Sequence, residues 1–105
     1  MVPGRIVAIV AALTLVMSVS ADAATIQITM EDLVISPAEA SAKVGDTIEW
    51  INKDIFAHTA TARNGDWDVM MPPNKTVTSV LNKAGTVEYY CRFHPNMKAT
   101  LVVAP

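Results

Sequence analysis

Four side chains in this sequence could together bind a soft metal ion. Cys91 is the only cysteine, and His94 and Met97 follow it within one short loop that Pro95 should turn back on itself. His58 is the only other histidine. A thiolate, imidazoles and a thioether form a ligand set that favours copper. Two nitrogens and a thiolate in one plane, with a distant axial methionine sulfur, are the ligands of electron-transfer copper sites.

A lone cysteine also has simpler explanations. One cysteine cannot form an internal disulfide, so Cys91 could be a buried inert thiol or form an intermolecular bridge. The nearby His94 and Met97 favour metal ligation, because a bare thiol gains nothing from either neighbour. Zinc could use the same residues, although a methionine ligand argues against it. A cysteine nucleophile with Arg92 as anion stabiliser is a further alternative, but it needs a substrate cleft that a small sandwich hardly provides.

The N-terminal residues have the pattern of an export signal. Arg5 is followed by an almost unbroken apolar run over residues 6–17, and a small-residue cleavage pattern ends at Ala23. The run is too short for a membrane anchor, which needs roughly 20 apolar residues. We therefore predict a cleaved signal peptide at 1–23, one domain at 24–105, a periplasmic location and no membrane insertion after processing.

Charge and size narrow the classes of partner. The formal net charge is −2, and charged residues of both signs are scattered without forming an acidic or basic stripe. This weakly acidic balance favours neither nucleic acid nor an anionic membrane as a partner. A mature chain of about 82 residues suffices for one small domain, which we expect to be a monomer.

The apolar pattern of the mature chain is that of β-strands. Apolar and polar residues alternate with a period of two, and Gly, Asn and Pro clusters separate the runs. These runs predict an all-β fold, an antiparallel Greek-key β-sandwich. The clearest strands are Thr25–Met30, Thr47–Trp50, Thr86–Cys91 and Thr100–Val103, and 48–52 followed by 58–62 has the pattern of a hairpin.

Strand parity predicts which side chains face the core. Because alternate residues share a face, Val87, Tyr89 and Cys91 should point inward together. The loop after Cys91 could then return His94 to the same sulfur, and His58 would approach from the neighbouring strand. Trp50 is predicted to lie in the core. For Trp67 the pattern leaves two alternatives open, packing at the sandwich edge or forming part of a docking surface.

Several segments of the mature chain resemble the cupredoxins, and within them the amicyanin and pseudoazurin group. The segments that carry this resemblance are Ile35–Ala38, Lys43–Asn52, Ala84–Cys91 and His94–Met97. Two residues between the cysteine and the histidine, and two more before the methionine, give a loop of amicyanin length. Two positions differ from the family pattern: Thr59 stands where an Asn often follows the first histidine ligand, and Asn96 where amicyanin has an aromatic residue.

This resemblance implies both a site and a function. His58, Cys91 and His94 would be the equatorial copper ligands and Met97 the weak axial ligand. The protein would be a mobile carrier of one electron through Cu(I)/Cu(II) cycling, and not an enzyme. Its transient partners could be a dehydrogenase, such as methylamine dehydrogenase, and a c-type cytochrome. Copper storage or delivery without redox cycling uses the same ligands and remains the alternative.

The resemblance also implies a docking surface around the exposed edge of His94. An apolar ring would surround that edge, formed by Phe56, Met71, Pro72, Phe93 and Pro95. A small apolar patch suits the brief encounters of redox partners. Adjacent methionines at 70 and 71 could also hold a second Cu(I), but the favoured interpretation is an apolar surface near the site.

Overall fold

The computed structural model describes residues 22–105. Most of the predicted signal peptide, residues 1–21, lies outside the described residues, so the leader and the domain boundary at 23/24 stay predictions. Within residues 22–105 the chain forms nine β-strands and no helix, and hence contains no helix that could cross a membrane. The strands are β1 Thr25–Glu31, β2 Val34–Ser36, β3 Glu39–Lys43, β4 Thr47–Asn52, β5 His58–Ala62, β6 Asp68–Met71, β7 Thr76–Val80, β8 Gly85–Tyr90 and β9 Lys98–Ala104.

The strands form two sheets that pack as a sandwich. The first sheet has the order β2-β1-β4-β7, and the second has the order β3-β9-β8-β5-β6. The all-β sandwich is therefore confirmed. The pairings are not all antiparallel, because β1 runs parallel to β4 and β3 runs parallel to β9, which makes both sheets mixed.

The predicted hairpin between 48–52 and 58–62 is wrong. β4 pairs with β1 and β7 in the first sheet, whereas β5 pairs with β6 and β8 in the second. Both hydrogen-bonding edges of β4 are thus occupied, so β5 cannot fold back against it. The connecting residues 53–57 instead cross from one sheet to the other at the end of the sandwich.

The inward faces of the strands agree with the predicted parity. Val87, Tyr89 and Cys91 are buried on one face, and Trp50 is completely buried with Ile48. Burial of a large aromatic side chain is among the strongest single contributions that a small core can receive. Cys91 therefore lies at the rim of a packed core, where its surroundings are fixed.

Three aromatic rings form a cluster inside the sandwich. The ring centroids of Trp50, Trp67 and Tyr89 lie 5.3–5.6 Å from one another. Trp67 is partly buried and packs against the core, so it belongs to the sandwich edge, the first of the two alternatives left open. The Trp50 indole N–H donates to the Ser79 hydroxyl at 2.8 Å.

The Tyr89 hydroxyl has no hydrogen-bond partner among residues 22–105, although it is buried. Its burial raises the pKa of the phenol, which stays neutral. An unpaired buried hydroxyl costs about 1–3 kcal/mol. We therefore expect Tyr89→Phe to leave the free energy of unfolding unchanged or to raise it by about 1 kcal/mol in urea titrations. Ser79→Ala is the contrasting variant, since it leaves the indole N–H unpaired and should destabilise the protein.

Candidate metal centre

Three predicted ligands converge at one end of the sandwich. The Cys91 sulfur lies 3.6 Å from Nδ1 of His58 and 3.7 Å from Nδ1 of His94. All three donor atoms lie within 4.8 Å of one another. Cys91 and His58 are fully buried, whereas His94 is half-buried. Cys91 and His94 from one loop thus lie close to His58, which is more than 30 residues earlier in the chain.

The fold explains this convergence. His58 begins β5, which pairs with β8, and Cys91 directly follows β8. Beyond Cys91 the chain makes two successive turns, in which the His94 N–H donates to the Cys91 carbonyl and the Met97 N–H donates to the His94 carbonyl. The Cys91 N–H in turn donates to the Met97 carbonyl at 3.0 Å. The loop is therefore closed by its own backbone before any ligand binds.

The separations of the donor atoms fit a metal ion. Bonds of about 2.0 Å to imidazole nitrogen and about 2.3 Å to thiolate, as for zinc, separate these atoms by about 3.7 Å when the angle at the metal is near 120°. The observed 3.6 and 3.7 Å match this trigonal arrangement. Two nitrogens and one sulfur in such an arrangement suit copper.

Met97 lies at the end of the same loop. Its side chain is almost completely buried and belongs to the core cluster that includes Cys91. Its backbone bonds to both Cys91 and His94 hold it beside the three donors. The predicted fourth ligand thus lies in the same closed loop as Cys91 and His94, and its ligation of a metal stays a prediction.

Sequence reasoning missed Asp54, which fixes the orientation of His58. Oδ2 of Asp54 lies 2.6 Å from Nε2 of His58, and both side chains are buried. A carboxylate that accepts the second ring N–H of a histidine sets the tautomer and raises the basicity of the ligating nitrogen. Nδ1 is the ring nitrogen of His58 that faces the Cys91 sulfur.

Asp54 is itself held by the turn between β1 and β2. Its carboxylate accepts the backbone N–H groups of Asp32 at 2.7 Å and Leu33 at 3.2 Å. Both turn residues have positive φ, 52° and 63°, which is unfavourable for leucine. Burial of Asp54 acts to raise its pKa, but the hydrogen bonds from His58 and these two amides outweigh it and leave the pKa below its ordinary value.

Asn52 organises the crossing between the sheets. Its amide nitrogen lies within 2.8–3.2 Å of the carbonyl oxygens of Phe56, Met71 and Pro72, and its Oδ1 accepts the Asp54 N–H. This last bond is an Asx turn, for which Asn two residues before Asp is a sequence signal. The sequence did contain a signal for Asp54, because this acidic residue stands four positions before the candidate ligand His58.

Thr59 makes two hydrogen bonds to the ligand loop. Its backbone N–H donates to the Cys91 sulfur at 3.4 Å, and its hydroxyl oxygen accepts the Arg92 N–H at 2.8 Å. A hydrogen bond to a ligating sulfur tunes the redox potential of a thiolate-bound copper. Thr59 therefore links the β5 strand to the ligand loop at the position where the family pattern often has Asn.

The surface around His94 is partly as predicted. The Phe56 ring lies 5.8 Å from the His94 ring, and Phe56 and Phe93 are 45% and 48% exposed. Met71 was wrongly placed in this apolar ring, because its side chain is completely buried in the core. Two adjacent strand residues face opposite sides, and here Met71 faces inward while Met70 faces solvent. The same division removes the paired-methionine copper site.

The protein is a small β-sandwich with a His58–Cys91–His94 cluster at one end. Comparison with known proteins identifies the family of this fold. A family model for the cupredoxin-like domain matches residues 5–103. The chain therefore belongs to the cupredoxin family.

Two curated relatives are amicyanins. The chain is 29% identical to amicyanin of Paracoccus versutus over 91 residues, which cover 81% of this chain and 67% of the relative. It is 32% identical to amicyanin of Paracoccus denitrificans over 74 residues, 62% of this chain and 54% of the relative. The second match thus spans about half of the relative's length.

Solved structures give the same result for the fold. The crystal structure of Paracoccus versutus amicyanin matches with a TM-score of 0.64 and 27% identity, and the match covers 82% of this chain and 85% of that one. A purple cupredoxin from Nitrosopumilus maritimus matches with a TM-score of 0.65 and 23% identity over 75% and 99% of the two chains. The likeness to the latter concerns the fold alone.

Proposed function

We propose that this protein carries single electrons through one copper ion bound by His58, Cys91, His94 and Met97. The observation that supports this most is the placement of two imidazole nitrogens 3.6 and 3.7 Å from one thiol sulfur. The first three residues would be equatorial ligands and Met97 the weak axial one. When bound, copper supplies a one-electron Cu(II)/Cu(I) couple.

The protein matrix favours electron transfer because it holds the donors in place. The backbone bonds of the 91–97 loop and the Asp54 carboxylate on His58 restrict movement of the ligands when the charge of the site changes. Small rearrangement of the ligands is what fast electron exchange requires. His94 is the half-buried histidine of the pair, so its edge offers the route to the surface.

The alternative of a cysteine-dependent enzyme finds no support at Arg92. Its guanidinium pairs with the Asp68 carboxylate, with Nη2 3.2 Å from Oδ2, and this pair lies on the outer face of the sheet. The guanidinium is therefore engaged away from the buried sulfur of Cys91.

We further propose that the protein works in the periplasm with transient partners. The exposed rings of Phe56 and Phe93 beside His94 would form the docking patch, and weak redox encounters use small contact areas of this kind. By analogy with the amicyanins the donor would be a dehydrogenase, such as methylamine dehydrogenase, and the acceptor a c-type cytochrome.

Carrier and copper-delivery functions predict different exchange behaviour. For a carrier, mixing oxidised and reduced protein should give rapid electron self-exchange in NMR line widths, and voltammetry should be reversible. Copper itself should stay on the protein during many such cycles. Slow, irreversible voltammetry together with rapid passage of copper to a chelating acceptor would contradict the proposal and favour delivery.

A further inference from the structure

A chain of hydrogen bonds runs from the ligand loop across the outer face of the second sheet. The Arg92 backbone N–H donates to the Thr59 hydroxyl oxygen, which lies 2.9 Å from the Thr61 hydroxyl oxygen. The Thr61 hydroxyl lies 2.6 Å from Oδ1 of Asp68. Thr59 and Thr61 share this face because they are two residues apart on β5.

The chemistry of the groups sets the direction of these bonds. An ionised carboxylate only accepts, so the Thr61 hydroxyl must donate its single proton to Asp68. Thr61 can then only accept from Thr59, whose own oxygen accepts the Arg92 N–H. Each bond in such a chain polarises the next and strengthens it. The Thr61 hydroxyl is also the main reason that the pKa of Asp68 lies below its ordinary value.

The Arg92 side chain closes this chain into a ring. Its Nε lies 3.3 Å from Oδ1 of Asp68, and its Nη2 lies 3.2 Å from Oδ2. The guanidinium and carboxylate are 40% and 52% exposed, so as an isolated surface ion pair they would contribute little to stability. Here, however, the pair returns the network to the residue that follows Cys91.

We infer that Thr61 and Asp68 are positioning residues for the copper-binding sulfur. Their ring holds Thr59 against the loop and thereby maintains the hydrogen bond from the Thr59 N–H to the Cys91 sulfur. The inference rests on the proposed copper site. It assigns a role in tuning that site to two side chains that are not ligands.

The expected direction of the effect follows from the sulfur bond. An N–H that donates to the thiolate withdraws electron density from sulfur, which favours Cu(I) and raises the reduction potential. Loosening the ring should therefore lower the potential. Removal of the Asp68 negative charge alone would raise the potential. A negative charge near the site stabilises its oxidised, more positive state, and this stabilisation would be lost.

The test is Thr61→Val, which removes the hydroxyl with almost no change in shape or charge. We expect a lower midpoint potential and a thiolate-to-Cu(II) absorption band at longer wavelength. In the copper-free protein, the Arg92 amide should exchange its hydrogen about tenfold faster. Thr61→Ser retains the hydroxyl and should restore all three properties.

Asp68→Ala and Asp66→Ala form a charge-matched pair of variants. Each removes one carboxylate from an ion pair, but Asp66 pairs with Lys83 and does not contact the ring. Asp68→Ala should lower the potential, while Asp66→Ala should not.

The inference is overturned if Thr61→Val has the wild-type potential, band and amide exchange, or if Asp68→Ala raises the potential. A wild-type Cu(II) protein without the intense band would overturn the proposed function and this inference with it, whereas unchanged variants of a coloured protein would overturn the inference alone.

Discussion

Replacing Cys91 with serine is expected to abolish the intense visible absorption of the Cu(II)-loaded protein. A short bond between copper and thiolate gives a strong charge-transfer band, and a hydroxyl at the same position gives none. Because Cys91 is the only cysteine, no other thiolate can restore the colour. Absorption and electron paramagnetic resonance spectra of the purified mature protein measure this directly.

The control for this experiment is Met70→Leu. Met70 is exposed and lies on the opposite side of its strand from the buried Met71, so its loss should leave the band unchanged. Near-ultraviolet circular dichroism of the copper-free Cys91→Ser protein establishes that the sandwich still folds. A colourless, tetragonal Cu(II) complex in the unmutated protein would refute the copper assignment.

Asp54→Ala should have the second largest effect, on both stability and metal affinity. It removes the partner of the His58 ring and of two backbone N–H groups in a turn with positive φ. Leaving the buried His58 ring N–H and the two turn amides without this acceptor should lower the free energy of unfolding by about 3 kcal/mol in urea titrations of the copper-free protein. Copper affinity should fall by about 10–100-fold, as for other carboxylates behind histidine ligands.

Asp54→Asn separates the charge of this residue from its shape. Asparagine keeps one accepting oxygen, so its effect should be smaller, whereas Asp66→Asn at an exposed ion pair should be nearly neutral. The lowered pKa of Asp54 means that its contribution is present above the ordinary value of 3.8 and is lost in stronger acid. The stability difference between wild type and Asp54→Asn should therefore shrink below that pH. A constant difference down to pH 2 would mean that the ionised form contributes nothing.

The ligand loop and the faces of the strands could be predicted because both depend on short-range spacing. The separation of Cys91, His94 and Met97 determines how one loop can close, and a period of two places Tyr89 and Cys91 on one face. Such a pattern says nothing about which strands pair. Only the structure could therefore show the crossing between β4 and β5 and the two parallel pairings, of β1 with β4 and of β3 with β9.

The supporting residues were harder to recognise from sequence. Asp54, Thr61 and Asp68 are ordinary polar residues by type, and each acquires its role only from a partner on another segment. For Met70 and Met71 the sequence offered two equivalent choices, since shifting the register by one residue exchanges the inward and outward side chains. Only the pairing of Met71 with His58 resolves this choice.

The position of the last strand has a consequence for the time at which the site can form. β9 lies between β3 and β8 in the second sheet, and its final residues pair with residues more than 50 positions earlier. A ribosome makes the chain from the N-terminus, and pairings over such separations fold slowly. A nascent chain that already contains His58 and Cys91 still lacks the strand that anchors β8. We therefore expect metal capture at this centre to follow synthesis of the complete domain.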